Sequence, residues 1–223
     1  VQVETYPMEL DGSNARGIFR QYDVILDGTD NFQARYLIND AAWLEGKPLV
    51  SAAIHQYEGQ LTVFRSGETA CYRCLYPDPP EPGAVPGCAE AGVLNILPGV
   101  LGTLQAAEAV KLLAGIGEPL YNRLLTYDAL RARFRTLVLK RDPGCALCGE
   151  HPRITEAEAI PWDEPAGDIP RVSLAAALAE EEALLLDVRP GGEYEAGSLP
   201  GARHLPLEML EVGLGELEEE RKR

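Results

Sequence analysis

The sequence predicts an α/β protein made of two successive domains. Three observations carry this. An apolar run ending in polar residues, Tyr22-Asp-Val-Ile-Leu-Asp27, precedes a helix-period segment and two further strand-like runs, the order of an α/β sheet. A stretch broken by Pro161, Pro165, Gly167 and Pro170 then interrupts the chain as an interdomain linker over Ile154–Pro170. A second buried-strand pattern, Leu184–Arg189, begins after it.

Taken in order, Tyr22–Asp27 is expected as a buried strand that closes on the polar group Asp27-Gly-Thr-Asp-Asn31. The helix behind it places Ala34, Leu37, Ile38, Ala41 and Ala42 on one face and is stopped by Gly46 and Pro48. Leu49–Ile54 and Gln60–Arg65 are the next strands, with Glu58-Gly59 read as their turn. Tyr76–Pro86 holds five prolines and two acids and is expected as an exposed crossing loop. From Gly99 to Ala114 only Glu108 and Lys111 are charged, so a helix buried on most sides is expected. Strands near Arg123–Tyr127 and Phe134–Leu139 complete the first domain. In the second, Ser173 can cap a short alanine-rich helix ahead of Leu184–Arg189.

Composition narrows the function classes. Of 223 residues 46% are hydrophobic, with no apolar run long enough to span a bilayer, no secretory signal and no internal repeat. A net charge of −15 argues against a phosphate-backbone partner, which needs clustered Lys and Arg. Much of the acidity lies in Glu180-Glu181-Glu182 and Glu216–Glu220, which read as solvated helix faces.

Four of the five cysteines form two matched pairs, Cys71-Tyr-Arg-Cys74 and Cys145-Ala-Leu-Cys148. Each pair can present two sulfurs on one tight turn, and zinc takes four thiolates at about 2.3 Å. The competing reading is a redox pair, which should open a helix directly after a strand. Prolines follow the first pair and Gly149 and Pro152 the second, so neither is expected to start a helix, and structural zinc is the reading adopted. Metal knuckles with one odd thiol, Cys88, fit a reducing cytoplasm better than a disulfide framework.

Asp27-Gly-Thr-Asp-Asn31 falls at the carboxyl end of a strand before a helix, where α/β sheets place ligands. Carboxylates there can hold Mg²⁺ beside nucleotide phosphates; Asp30 or Asn31 could equally cap the helix. Arg35 could reach an anion, or pair with Asp40 or Glu45. His55 and His204 read as structural.

With Arg35 and Asn39, Cys88-Ala-Glu-Ala-Gly-Val93, Gly99-Val-Leu-Gly102 and Gly144-Cys-Ala-Leu-Cys148 in this order, residues 1–150 resemble the MoeB/ThiF group of ubiquitin-activating-like adenylyltransferases, whose fold is Rossmann-like. Residues 171–223, with Leu185-Leu-Asp-Val-Arg189, Glu193-Tyr194 and Gly197–Pro206, resemble the front half of a rhodanese domain. The resemblance implies ATP- and Mg²⁺-dependent adenylation of the C-terminal glycine of a ubiquitin-like sulfur carrier, for molybdopterin, thiamine or tRNA thiolation, by a homodimer. It implies that Asp30 positions Mg²⁺ and the triphosphate, with Asn31 beside it, and that Arg35 serves the carrier tail or phosphates. Cys88 would take up the carrier as a thioester or acyl disulfide in some members. The group's glycine-rich ATP loop would precede Val1, and the rhodanese cysteine loop would follow Arg223. The sequence therefore reads as an internal stretch of a longer protein, expected to bind ATP poorly by itself. Two other readings are an activator of a ubiquitin-like modifier that depends on Cys88, and a zinc-stabilised module that docks a small protein without catalysis.

Overall fold

The computed structural model describes residues 2–80, 91–158, 160, 172, 174–180 and 184–210. Cys88, Ser173 and the acidic segment after residue 210 lie outside them, as do residues 81–86 of the expected loop. The chain divides into two compact units, Val1–Pro165 and Ala166–Arg223.

The first unit is a five-stranded sheet in the order β1 (Ile25–Asp27), β2 (Leu49–His55), β3 (Glu58–Phe64), β4 (Arg123–Asp128) and β5 (Arg133–Val138). β1 and β2 are parallel and every later pair is antiparallel. One face of β1 and β2 packs under α1 (Ala15–Phe19) and α2 (Phe32–Leu44), burying Ile25, Tyr36, Leu37, Leu49 and Phe64. Gly46 sits just past the C-cap of α2 with φ +66, the left-handed geometry that ends a helix.

The opposite face carries Val50, Ala52, Leu61 and Val63 against Leu97 and Leu101 of α4 (Leu97–Ala114). This helix differs from expectation. It buries one stripe, Leu97, Leu101, Gln105, Glu108 and Ala109, while Val110 and Leu113 are 55% and 63% exposed. Few charges in a helix therefore did not mean burial all round. Glu108 lies on the buried stripe because it pairs with Lys111 at 2.5 Å and accepts the Leu120 amide at 2.9 Å.

The β2–β3 turn also differs. His55 pairs directly with Glu58, so the turn is Gln56-Tyr57, with Gln56 at φ +49. Gly59 lies inside β3, where a Cβ would stand 2.4 Å from the Leu101 side chain of α4. The glycine serves helix-on-sheet packing.

The segment read as a linker begins as part of the first unit: Ala157 is buried in the α1–α2 core and Ile160 packs against it. The second unit contains α5 (Leu174–Leu178), the parallel pair β6 (Leu186–Asp187) and β7 (Arg203–His204), and α6 (Gly191–Ala196). Leu184 and Val188 are 57% and 40% exposed, so the strand expected to be buried is shorter and more open. Arg189 binds Asp187 through Nε at 2.9 Å and Nη2 at 2.6 Å, which holds that carboxyl down at about 2. His204 stacks on Tyr194 at 4.2 Å, and its ring nitrogen contacts the Arg189 carbonyl oxygen at 2.9 Å.

Candidate functional sites: a thiol cluster and a strand-end carboxylate

The two cysteine pairs meet. Sulfur separations are 3.9 Å for Cys71–Cys74, 3.6 Å for Cys71–Cys145 and 3.2 Å for Cys74–Cys148. All four Sγ atoms lie within 4.8 Å of one another. A tetrahedral site with bonds of about 2.3 Å spaces its sulfurs by about 3.8 Å, so the donor set fits Zn²⁺. Cys71, Cys145 and Cys148 are buried, and Leu147, Trp43, Leu44 and Ile154 pack round them. Four protein ligands in an apolar shell form a closed, structural type of site. The Asp142 amide donates to Cys74 Sγ at 3.4 Å. Hydrogen bonding from Cys148, then Cys71, pushes the Cys74 thiol well down, while the hydrogen bond to Cys148 raises that of Cys71.

The first knuckle departs from expectation because Cys71 is the N-cap of one helical turn, α3 (Tyr72–Leu75). Its sulfurs still meet the other pair, as a metal knuckle requires. In the second, a Cβ on Gly149 would lie 2.4 Å from the Pro143 carbonyl oxygen, so the chain folds back too tightly there for any side chain.

The two residues inside the first knuckle are gripped by α2. Asn39 Oδ1 accepts the Tyr72 amide at 2.9 Å. Arg73 meets Asp40 with Nε at 2.9 Å and Nη2 at 2.7 Å, the Asp40 side chain being 1% exposed. The Arg73 guanidinium also lies 4.8 Å over the Tyr36 ring, which meets Tyr72 edge-on. Asp40 thus belongs to Arg73, while Glu45 pairs with Arg16 and Arg20. Neither is a partner of Arg35.

At the other end of α2 lies the strand-end motif. Asn31 is the cap: its Oδ1 accepts the Ala34 amide at 2.8 Å. Asp30 is left exposed beside it. Arg35 Nη2 donates to the Thr29 carbonyl at 3.1 Å, and the guanidinium lies 5.7 Å from the Phe32 ring centre. Its Nε is one of two buried side-chain polar atoms without a hydrogen-bond partner among the described residues, the other being Thr62 Oγ1. Asp27, 1% exposed, accepts both the amide and the hydroxyl of Thr29, at 2.9 and 2.7 Å. Burial pushes its carboxyl above the ordinary range, opposed by the Thr29 hydrogen bonds and by Arg35.

Gln105 of α4 was not anticipated. Its Nε2 donates to the carbonyls of Asp27 at 2.7 Å and Val50 at 2.9 Å, joining the last residue of β1 to the second of β2. A lone amide on the stripe Leu97, Leu101, Gln105 and Glu108 was the available signal.

Comparison with known proteins places this geometry in context. The ThiF family matches residues 1–147 and the rhodanese-like domain residues 171–223. A sulfur carrier protein adenylyltransferase of Thermus thermophilus is 54% identical over 168 residues, 73% of this chain and 61% of that protein. The adenylyltransferase and sulfurtransferase MOCS3-1 of Zea mays is 40% identical over 240 residues, 98% of this chain and 51% of its own length. A probable adenylyltransferase/sulfurtransferase MoeZ of Mycobacterium tuberculosis is 39% identical over 233 residues, 96% of this chain and 57% of its own. The chain spans between half and two thirds of these relatives.

Proposed function

On the premise that the chain belongs to the ThiF family, we propose that its protein is an ATP-dependent adenylyltransferase for a ubiquitin-like sulfur carrier. The observation that carries the reading is the division of labour at the head of α2. Asn31 is spent on the cap, and the neighbouring Asp30 carboxylate stands exposed at the carboxyl end of β1. Asp30 is the residue that would hold Mg²⁺, which supplies charge neutralisation at the triphosphate. In the reaction a carboxylate oxygen of the carrier's terminal glycine bonds to the α-phosphorus. The bond from that phosphorus to the bridging oxygen breaks, and pyrophosphate leaves. The nucleophile is weak, so the protein's part is to orient the two anions and offset their charge. Arg35, anchored on Thr29 with Nε unpartnered, is suited to meet an anionic oxygen.

The thiol cluster takes no part in this chemistry; the zinc it would hold fixes the knuckles that α2 grips. Cys88, if it receives the acyl group, acts after adenylation, and Cys88→Ala would then block transfer without affecting pyrophosphate exchange. The protein is further read as a homodimer of the cytoplasm, where thiol ligands stay reduced. No helix among the described residues is long and apolar enough to cross a membrane.

The test is ATP–pyrophosphate exchange by the natural protein that bears this sequence, with carrier present. Asp30→Ala is expected to abolish exchange and leave zinc content and fold intact. Exchange at the wild-type rate would remove Asp30 from the site.

A further inference from the structure

Resting on the adenylation reading above, we propose that Asp27 and Gln105 are positioning residues for Asp30: together they lock the turn that presents its carboxylate. Three held points make the lock. Gln105 reaches up from α4 and commits one amide nitrogen to two carbonyls, Asp27 at 2.7 Å and Val50 at 2.9 Å. These belong to neighbouring parallel strands, where Leu26 pairs with Val50 and Asp27 with Ser51. The last residue of β1 is thereby stapled to its neighbour. The Asp27 side chain then takes both the amide and the hydroxyl of Thr29, and the Thr29 carbonyl receives Arg35 Nη2 at 3.1 Å. On the far side Asn31 is fixed by the Ala34 amide. The Asp30 carboxylate between these points receives a long contact, 3.5 Å from Asn31 Nδ2.

At Gly28 no packing holds this turn. A Cβ built on Gly28 meets nothing within 4 Å, so the backbone between Asp27 and Thr29 is not wedged by neighbours. Hydrogen bonds from buried side chains do the holding: Asp27 is 1% exposed and Gln105 8%. At that depth they act on a bound nucleotide only through the turn. A carboxylate that would hold the Mg²⁺ offsetting phosphate charge serves the transition state best when it needs no reorganisation on binding, which a locked turn ensures.

Exchange kinetics of the natural protein with carrier, ATP, Mg²⁺ and labelled pyrophosphate test the proposal. Asp27→Ala should lower kcat by about 10²-fold, the scale of a misplaced reacting group, and leave the KM for carrier unchanged. Asp27→Asn keeps an oxygen able to accept both Thr29 hydrogen bonds and should recover most of the loss. Wild-type kcat in Asp27→Ala overturns the proposal. So does Asp27→Asn as slow as Asp27→Ala, which would make the negative charge itself the requirement. If Asp27→Ala does not fold, judged by zinc content and cooperative unfolding, Gln105→Met carries the same kcat-against-KM test. If the wild type shows no exchange, the adenylation reading fails, and the lock is decided by hydrogen exchange at the Thr29 amide. Protection in the wild type and in Asp27→Asn with loss in Asp27→Ala supports it; equal protection in all three overturns it.

Discussion

The thiol cluster and the carboxyl end of β1 are built from similar material, a tight turn braced by α2, yet they are opposites in design. At the cluster, four sulfurs face one another inside an apolar shell and leave no free position. At the strand end, Asp27 and Arg35 both bind Thr29, Asn31 caps the Ala34 amide, and Asp30 is left facing solvent. One region spends its donors on itself; the other spends the donors around a single carboxylate so that this group stays available. The lesson is that α2 is braced at one end against a closed cluster and presents an exposed carboxylate at the other. Asn39 and Asp40 face the knuckle, while Asn31 and Arg35 face the strand end.

Perturbing each region should separate them. The largest effect is expected from Cys145→Ser, which removes one of four metal ligands. Zinc should fall below one per chain, and a loss of about 4 kcal/mol would lower Tm by about 10 °C at this chain length. Full occupancy in that variant, by elemental analysis, would show that the cluster is not the metal site. Next is Arg73→Met, which leaves the buried Asp40 carboxylate without its cation and should cost about 3 kcal/mol in urea unfolding. Adding Asp40→Asn should restore part of that loss; additive costs in the double-mutant cycle would mean that knuckle and helix are not coupled. Asn31→Ala removes the cap at the open end and should cost about 1 kcal/mol with zinc content unchanged.

The smallest effect concerns Glu45 at the C-cap of α2, whose carboxylate serves neither site. Arg20 and Arg16 hold its carboxyl below the ordinary value of 4.5. A depressed carboxylate contributes stability above its unfolded pKa and loses it as pH falls through the folded one. The Glu45→Gln protein should therefore be less stable than wild type above pH 4.5, and the gap should close on acidification and in high salt. A gap that widens in acid would contradict the ion pairs.

Local rules made much of this legible. Gly46 marked the end of α2, apolar runs located the main strands and a helix-period segment located α2, and the paired CxxC spacing anticipated a four-sulfur site. What escaped depends on contacts between distant positions. Gln105 and the Asp27 carbonyl lie 78 positions apart, and an amide in an apolar helix does not reveal its partner. Gly59 looked like a turn residue because glycine has two uses, and only the approach of Leu101 decides between them. The weak charge of α4 was mistaken for burial because periodicity cannot separate a core-facing stripe from an equally apolar face left open. Ala157 and Ile160 resembled linker because prolines dominate their surroundings.

The thiol cluster has a further consequence for the order in which the chain folds. Cys74 and Cys148 are 74 positions apart, and their sulfurs meet at 3.2 Å. Between them lie α4, β4 and β5, so the knuckles bracket nearly half of the sheet. Closing a loop of that length in an unfolded chain costs roughly 4 kcal/mol of entropy. If an ion captures both knuckles early, that cost is met before β3, just ahead of the first knuckle, and β4, inside the loop, seek each other, and a slow non-local pairing becomes a search over a shortened path. The cluster then works as a topological clasp, and the availability of metal during synthesis governs how quickly the sheet beneath the Asp30 turn takes shape.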